Sequence, residues 1–62
     1  MEITLKAARI NMGMTQEDVA NKLGVSRRTV SMWENEKDKI RPAYVYALSS
    51  LYKVSTNDFI MP

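Results

Sequence analysis

The side chains best equipped for recognition chemistry in this sequence are cationic. Arg27 and Arg28 are adjacent, and Lys37, Lys39 and Arg41 alternate a few residues later, so five of the nine basic residues fall between positions 27 and 41. A guanidinium presents a planar fork of N–H donors. That shape matches two acceptors side by side, on a phosphate or on the edge of a guanine. Three acids in the same stretch, Glu34, Glu36 and Asp38, dilute the charge, and the whole chain sums to only +2. Where the charges sit therefore carries more information than their total.

What the chain lacks narrows the chemistry. It has no cysteine and no histidine, which removes disulfides, Cys/His zinc sites and the usual nucleophile–base pairs. The carboxylates are dispersed, no glycine-rich phosphate loop is present, and a short helical chain offers no deep cleft. No enzymatic activity, metal or cofactor is expected. No stretch is long and apolar enough to cross a membrane, and the first six residues lack the segments of a signal peptide. The expectation is a cytoplasmic protein of one domain, residues 1–62. A domain this small buries only about 60% of its unfolded surface, so its stability margin is thin.

Five short helices are expected to position these side chains, and no strand pattern is visible. The first runs from about Thr4 to Met12, with Leu5, Ala8 and Met12 on one face and Gly13 ending it. Thr15 and Asp18 nearly match a capping box and open helix two, whose inner face is Val19, Ala20 and Leu23. Gly24 stops that helix, and Val25-Ser26 leads into helix three with Ser26 as its cap. Val30 and Trp33 point inward there, and Asn35 closes the helix. After a polar loop, Pro42 suits the first turn of helix four, where Val45, Leu48 and Leu51 or Tyr52 form the apolar stripe. Ser55 and Asp58 cap a last short helix carrying Phe59 and Ile60.

The segment from Gln16 to Trp33 has a specific internal spacing. Two crossed helices need a small residue where their backbones meet, and Ala20 supplies it. They need glycine where the chain reverses, and Gly24 lies four residues on. They need an apolar residue on the second helix, and Val30 lies six further, with Val19, Leu23 and Val25 filling the wedge. This is the spacing of a helix-turn-helix; an ordinary helical hairpin is the plainer reading of the same pattern.

Over nearly its whole length the chain resembles the Cro/repressor family of bacterial and phage regulators. The matching residues are Arg9, Gly13, Met14, Thr15-Gln16, Ala20, Leu23-Gly24-Val25-Ser26, Val30, Trp33-Glu34-Asn35, Lys37, Pro42, Leu48, Val54-Ser55 and Phe59-Ile60. The resemblance implies an all-α, compact five-helix domain of the lambda-repressor type, with helix two across the DNA backbone and helix three in the major groove. Two features depart from the pattern. Glu36 stands where the family usually has glycine, and the loop before Pro42 is one residue longer than in some relatives.

At about 100° per residue, Val30 and Trp33 toward the core send Arg28, Ser31 and Met32 to the opposite arc, with Arg27 and Thr29 at its edges. The N-terminal residues of a recognition helix reach base edges. The expected base contacts are therefore Arg27, Arg28 and Met32, supported by Ser31, and the first three match positions the family uses for base reading. Which arginine reads a base and which grips a phosphate stays open. Met32 either touches a thymine methyl or packs partly into the core. Gln16 resembles the family's phosphate-contacting glutamine, and Asn35, Lys37, Lys39 and Arg41 lie where the family touches the sugar-phosphate chain. Such contacts position without reading sequence. The resemblance also implies a structural ion pair between Arg9 and Glu34.

Trp33 is expected in the core. Tyr44, Tyr46 and Tyr52 cannot all face inward. With Phe59, Ile60 and Met61 they form either an exposed partner patch or scattered surface tyrosines plus a satellite core. Together these readings give a sequence-specific, double-stranded-DNA-binding transcriptional repressor that inserts helix three into a palindromic operator. It would act as a homodimer through helices four and five, with no membrane role. The alternative is a protein-interaction module or antitoxin-like partner with the same fold. The tyrosine-rich helix four and the low net charge favour it.

Overall fold

The computed structural model describes residues 2–35 and 39–60. In chain order the elements are β1 (Ile3–Thr4), α1 (Leu5–Asn11), α2 (Gln16–Leu23), α3 (Arg27–Asn35), α4 (Pro42–Tyr52), a 3-10 turn at Thr56–Asp58, and β2 (Phe59–Ile60). No helix is long and apolar enough to cross a membrane among the described residues.

Each boundary has a local cause. The Thr4 hydroxyl accepts from the Ala7 N–H at 3.1 Å and starts α1. Thr15 and Asp18 form a reciprocal capping box at α2: the Thr15 hydroxyl accepts from the Asp18 N–H at 3.0 Å, and the Asp18 carboxylate accepts from the Thr15 N–H at 2.8 Å. The Thr15 N–H, and after it the Thr15 hydroxyl, hold the Asp18 carboxyl below its ordinary range. Ser26 caps α3 by accepting from the Thr29 N–H at 3.1 Å. Pro42 sits in the first turn of α4, where its missing N–H costs nothing.

The turn between α2 and α3 is made by Gly24, at φ 68°. The N–H groups of both Gly24 and Val25 return to the Ala20 carbonyl, so the last turn of α2 is closed before the chain reverses. Ala20 is buried, as a close backbone crossing requires. With Val19 and Val30 it forms the contact between the two helices, and Leu5, Ala8, Leu48 and Tyr52 complete the core. Ile3, Met14, Leu23, Val25, Trp33, Ile40, Leu51, Val54 and Phe59 pack around it.

Three expectations need correction, and one open choice is decided. The fold is mostly helical but not all-α: β1 and β2 pair in parallel, with Ile3 opposite Phe59 and Thr4 opposite Ile60. The expected fifth helix is a single 3-10 turn, because Phe59 and Ile60 extend to meet β1 rather than continue a helix. Four α-helices are therefore found among the described residues. Met12 lies on the surface rather than the inner face of α1, since the helix ends at Asn11 and Met12 is already its cap. Of the two readings of the aromatics, scattered tyrosines with a satellite core is the one found: Tyr52 is buried and takes Phe59 edge-on, with ring centroids 6.5 Å apart. Tyr44 tilts against Trp33 at 5.1 Å, so Tyr46 and Ile60 are left exposed. Met61 lies outside the described residues.

A Cβ built on Gly24 meets nothing within 4 Å, so the cost of a side chain there is purely conformational. Gly24→Ala is expected to destabilise the fold by about 1 kcal/mol, the penalty of a left-handed L-residue. For a domain this size that lowers the melting temperature by roughly 4–8 °C. A melting curve followed by circular dichroism checks it, and an unchanged midpoint would contradict the strain argument.

Candidate nucleic-acid interface

The site begins with what anchors α3. Glu34, in its last turn, keeps only 1% of its side chain exposed and meets Arg9 of α1. Arg9 Nε donates to Glu34 Oε2 at 2.8 Å and Nη2 donates to Oε1 at 3.2 Å, a two-pronged charged pair. The remaining prong, Nη1, donates to the Met14 carbonyl at 2.9 Å in the turn before α2. Gln16, the first residue of α2, adds a third donor to the same carboxylate, from Nε2 to Oε1 at 3.1 Å. The bond from Arg9 to Glu34 raises the guanidinium's pKa, burial opposes that, and the Glu34 charge adds to it. One carboxylate therefore collects donors from α1 and α2.

The outer face of α3 carries the side chains that the sequence singled out. Arg27 and Arg28 are both exposed at its first turn, and neither has a hydrogen-bond or ion-pair partner among the described residues. Ser31 and Met32 are half-buried one turn on. At the helical spacing of about 3.6 residues, Arg27, Ser31 and Asn35 form one row and Arg28 with Met32 the next.

The other residues fall around this rod. Lys39 and Arg41 are exposed beyond α3, with Arg41 at the cap position of α4. Lys37 and Glu36 lie outside the described residues. Gln16 is half-buried at the start of α2, and its amide is already turned to Glu34. Asn35 is exposed, but its Nδ2 points back along the helix, donating to the Ser31 carbonyl at 3.0 Å and to the Ser31 hydroxyl at 3.3 Å. Sequence reasoning had not connected Gln16 with Glu34 or Asn35 with Ser31. The second link had a signal, a spacing of four between two hydrogen-bonding side chains. Among the described residues no group of His, Cys, Asp or Glu is arranged to hold a metal ion.

Tyr52 lies close enough to this network to feel both charges. Burial pushes its hydroxyl up to about 12, the Glu34 charge adds to the rise, and Arg9 offsets it. An unfolded tyrosine titrates near 10, so the folded state favours the neutral phenol. The resulting stability is fully present below about pH 10 and is lost as pH climbs towards 12. Melts of the wild type across that range should show a fall that Tyr52→Phe reduces; equal falls in both would remove the burial of the phenol as its cause.

Arg9→Met would leave a carboxylate buried beside a single neutral donor. Breaking such a pair costs about 3 kcal/mol or more. The melting temperature is expected to fall by upwards of roughly 12 °C, as measured calorimetrically. A melt within a degree or two of the wild type would show that Glu34 does not depend on Arg9.

Comparison with known proteins supplies the remaining finding. A model of a helix-turn-helix family matches residues 5–59, from the first residue of α1 to the first of β2, and so takes in all four helices. No curated protein and no solved structure gave a match. The matched span, the α2–turn–α3 geometry and the outward face of α3 agree, and the chain belongs to the helix-turn-helix family of Cro/repressor-type DNA-binding regulators.

Proposed function

We propose that this chain is a sequence-specific transcriptional repressor, residues 1–62 acting as one cytoplasmic domain that lays α3 in the major groove of a palindromic operator. The observation that carries this reading is the pair Arg27 and Arg28, exposed and without partners among the described residues on the first turn of α3. Those positions on a recognition helix reach base edges, and an arginine satisfies O6 and N7 of a guanine at once. Met32 adds an apolar surface suited to a thymine methyl, and Ser31 a hydroxyl. Lys39 and Arg41 follow the groove wall as phosphate contacts, with Lys37 assigned the same role. Gln16 offers its second amide hydrogen to a phosphate beside the start of α2, where the backbone N–H groups favour an anion.

A nine-residue α3 spans about 13 Å, which covers roughly four base pairs at 3.4 Å each. One copy therefore reads too short a sequence to be selective. The reading includes a homodimer on DNA, with two half-sites about one helical turn apart. Tyr46 of α4 and Ile60 of β2, both exposed, place apolar surface on the elements assigned to that contact.

The test is a mobility-shift titration of genomic fragments, repeated at rising salt. The wild type should retard a subset of fragments, with affinity falling steeply as salt increases. The double variant Arg27→Ala/Arg28→Ala should lose that selection while keeping the wild-type melting temperature. Normal retardation by the double variant would end this reading. Salt-insensitive capture of a protein by both forms would favour the interaction-module alternative instead.

A further inference from the structure

The contact between Asn35 and Ser31 gives the recognition face a polarity that neither residue has alone. A serine hydroxyl has one O–H to donate and two lone pairs to accept with. Here the Asn35 amide nitrogen donates to that oxygen at 3.3 Å while also donating to the Ser31 carbonyl at 3.0 Å. Both acceptors belong to the one residue a turn back, so the Asn35 amide nitrogen is turned to Ser31. With a donor on its lone pair, the Ser31 hydroxyl cannot direct its own hydrogen towards Asn35. No acceptor among the described residues takes that hydrogen either, not even the carbonyl one turn back to which helical serines often bond. The O–H therefore keeps its hydrogen for another acceptor, in the row that also carries Arg27.

We propose that Asn35 is a positioning residue for base recognition: it occupies one lone pair of the Ser31 hydroxyl and biases Ser31 towards donating, so that Ser31 favours a base edge bearing an acceptor. This rests on the DNA-reading role proposed above and replaces the phosphate contact expected for Asn35, because its amide nitrogen is already turned back to Ser31. In the major groove the acceptors are guanine O6 and N7, adenine N7 and thymine O4, whereas cytosine presents an amino donor. A hydroxyl free to rotate accepts from that amino group as readily as it donates elsewhere. A hydroxyl that already accepts one bond donates more strongly and has one fewer lone pair for that amino group, so it favours the acceptor edges.

The test starts from a pool of random double-stranded oligonucleotides. The wild type is used to select a consensus, and affinities are then measured for the consensus duplex and its single-base-pair variants. Discrimination at each position is a ratio of two affinities for one protein preparation, so partial unfolding of a variant cancels. Ser31→Ala and Asn35→Ala should each reduce discrimination at the same base pair, by about three- to tenfold for one hydrogen bond. The double variant should lose no more than either single one. Weakening of all duplexes by one factor in Asn35→Ala would return it to a phosphate role and overturn the proposal. So would a loss at a different base pair, or no change. A wild type that selects no sequence would instead remove the DNA reading itself, and this proposal with it.

Discussion

The carboxylate of Glu34 is the point on which the arrangement of the first three helices depends. It belongs to α3, accepts two bonds from Arg9 of α1 and one from Gln16 of α2, and is almost wholly buried. A buried carboxylate without donors is costly, and these donors arrive from two other elements. They reach it only when α1, α2 and α3 are all in register. A buried ion pair adds little net stability over an apolar pair of the same volume, but losing one partner is severe. Its effect is to penalise every arrangement in which α3 slides or rotates out of place. Because Arg9 also holds the Met14 carbonyl, the turn leading into α2 is tied to the same point.

The opposite end of α3 is fixed by different means. There the chain has only Gly24, Val25 and Ser26 in which to leave one helix and begin the next. A left-handed glycine, two N–H groups on one carbonyl and the Ser26 cap complete the reversal. Val19, Ala20 and Val30, at or near zero exposure, are buried at the crossing. α3 is thus clamped polar at its end and apolar at its start. Its outward row is left without structural duties.

How much of this was legible in the sequence follows from how local each cause is. Thr15 with Asp18, Ser26, Gly24 and Pro42 act within a few residues of themselves, and the helix boundaries they imply are found within one residue. The wedge of Val19, Ala20 and Val30 was equally readable, because helical spacing alone puts them together. The pairing of Ile3 with Phe59 was not, since two-residue strands are too short to show alternation and their partners lie at opposite ends of the chain. Lys53, at φ 56°, ends α4 in a left-handed turn that no glycine announced. Stripe periodicity does not separate Tyr52 from Leu51, because it does not say which neighbour a ring will meet; Phe59 decides it by packing edge-on. Within the candidate site, helical spacing accounts for the exposure of Arg27 and Arg28, but not for the half-burial of Ser31 and Met32. The bonds of Gln16 and Asn35 depend on side-chain rotamers, which sequence does not specify.

Folding also changes the effective charge of the stretch between positions 27 and 41. Counted along the chain, Glu34 offsets one of the cations between positions 27 and 41. In the folded molecule its charge is buried and bonded to Arg9, outside that stretch. Arg27, Arg28, Lys39 and Arg41 all remain exposed. An acid that looks diluting in sequence is thus withdrawn from the surface by a base drawn from α1, and the exposed potential beside α3 becomes more positive than composition suggests. Exposed charges act over a Debye length of about 8 Å at physiological salt, so this local surplus, rather than the net +2 of the chain, is what an approaching polyanion meets. The same ion pair that fixes the direction of α3 therefore also shapes the field around it, and one buried contact serves both register and encounter.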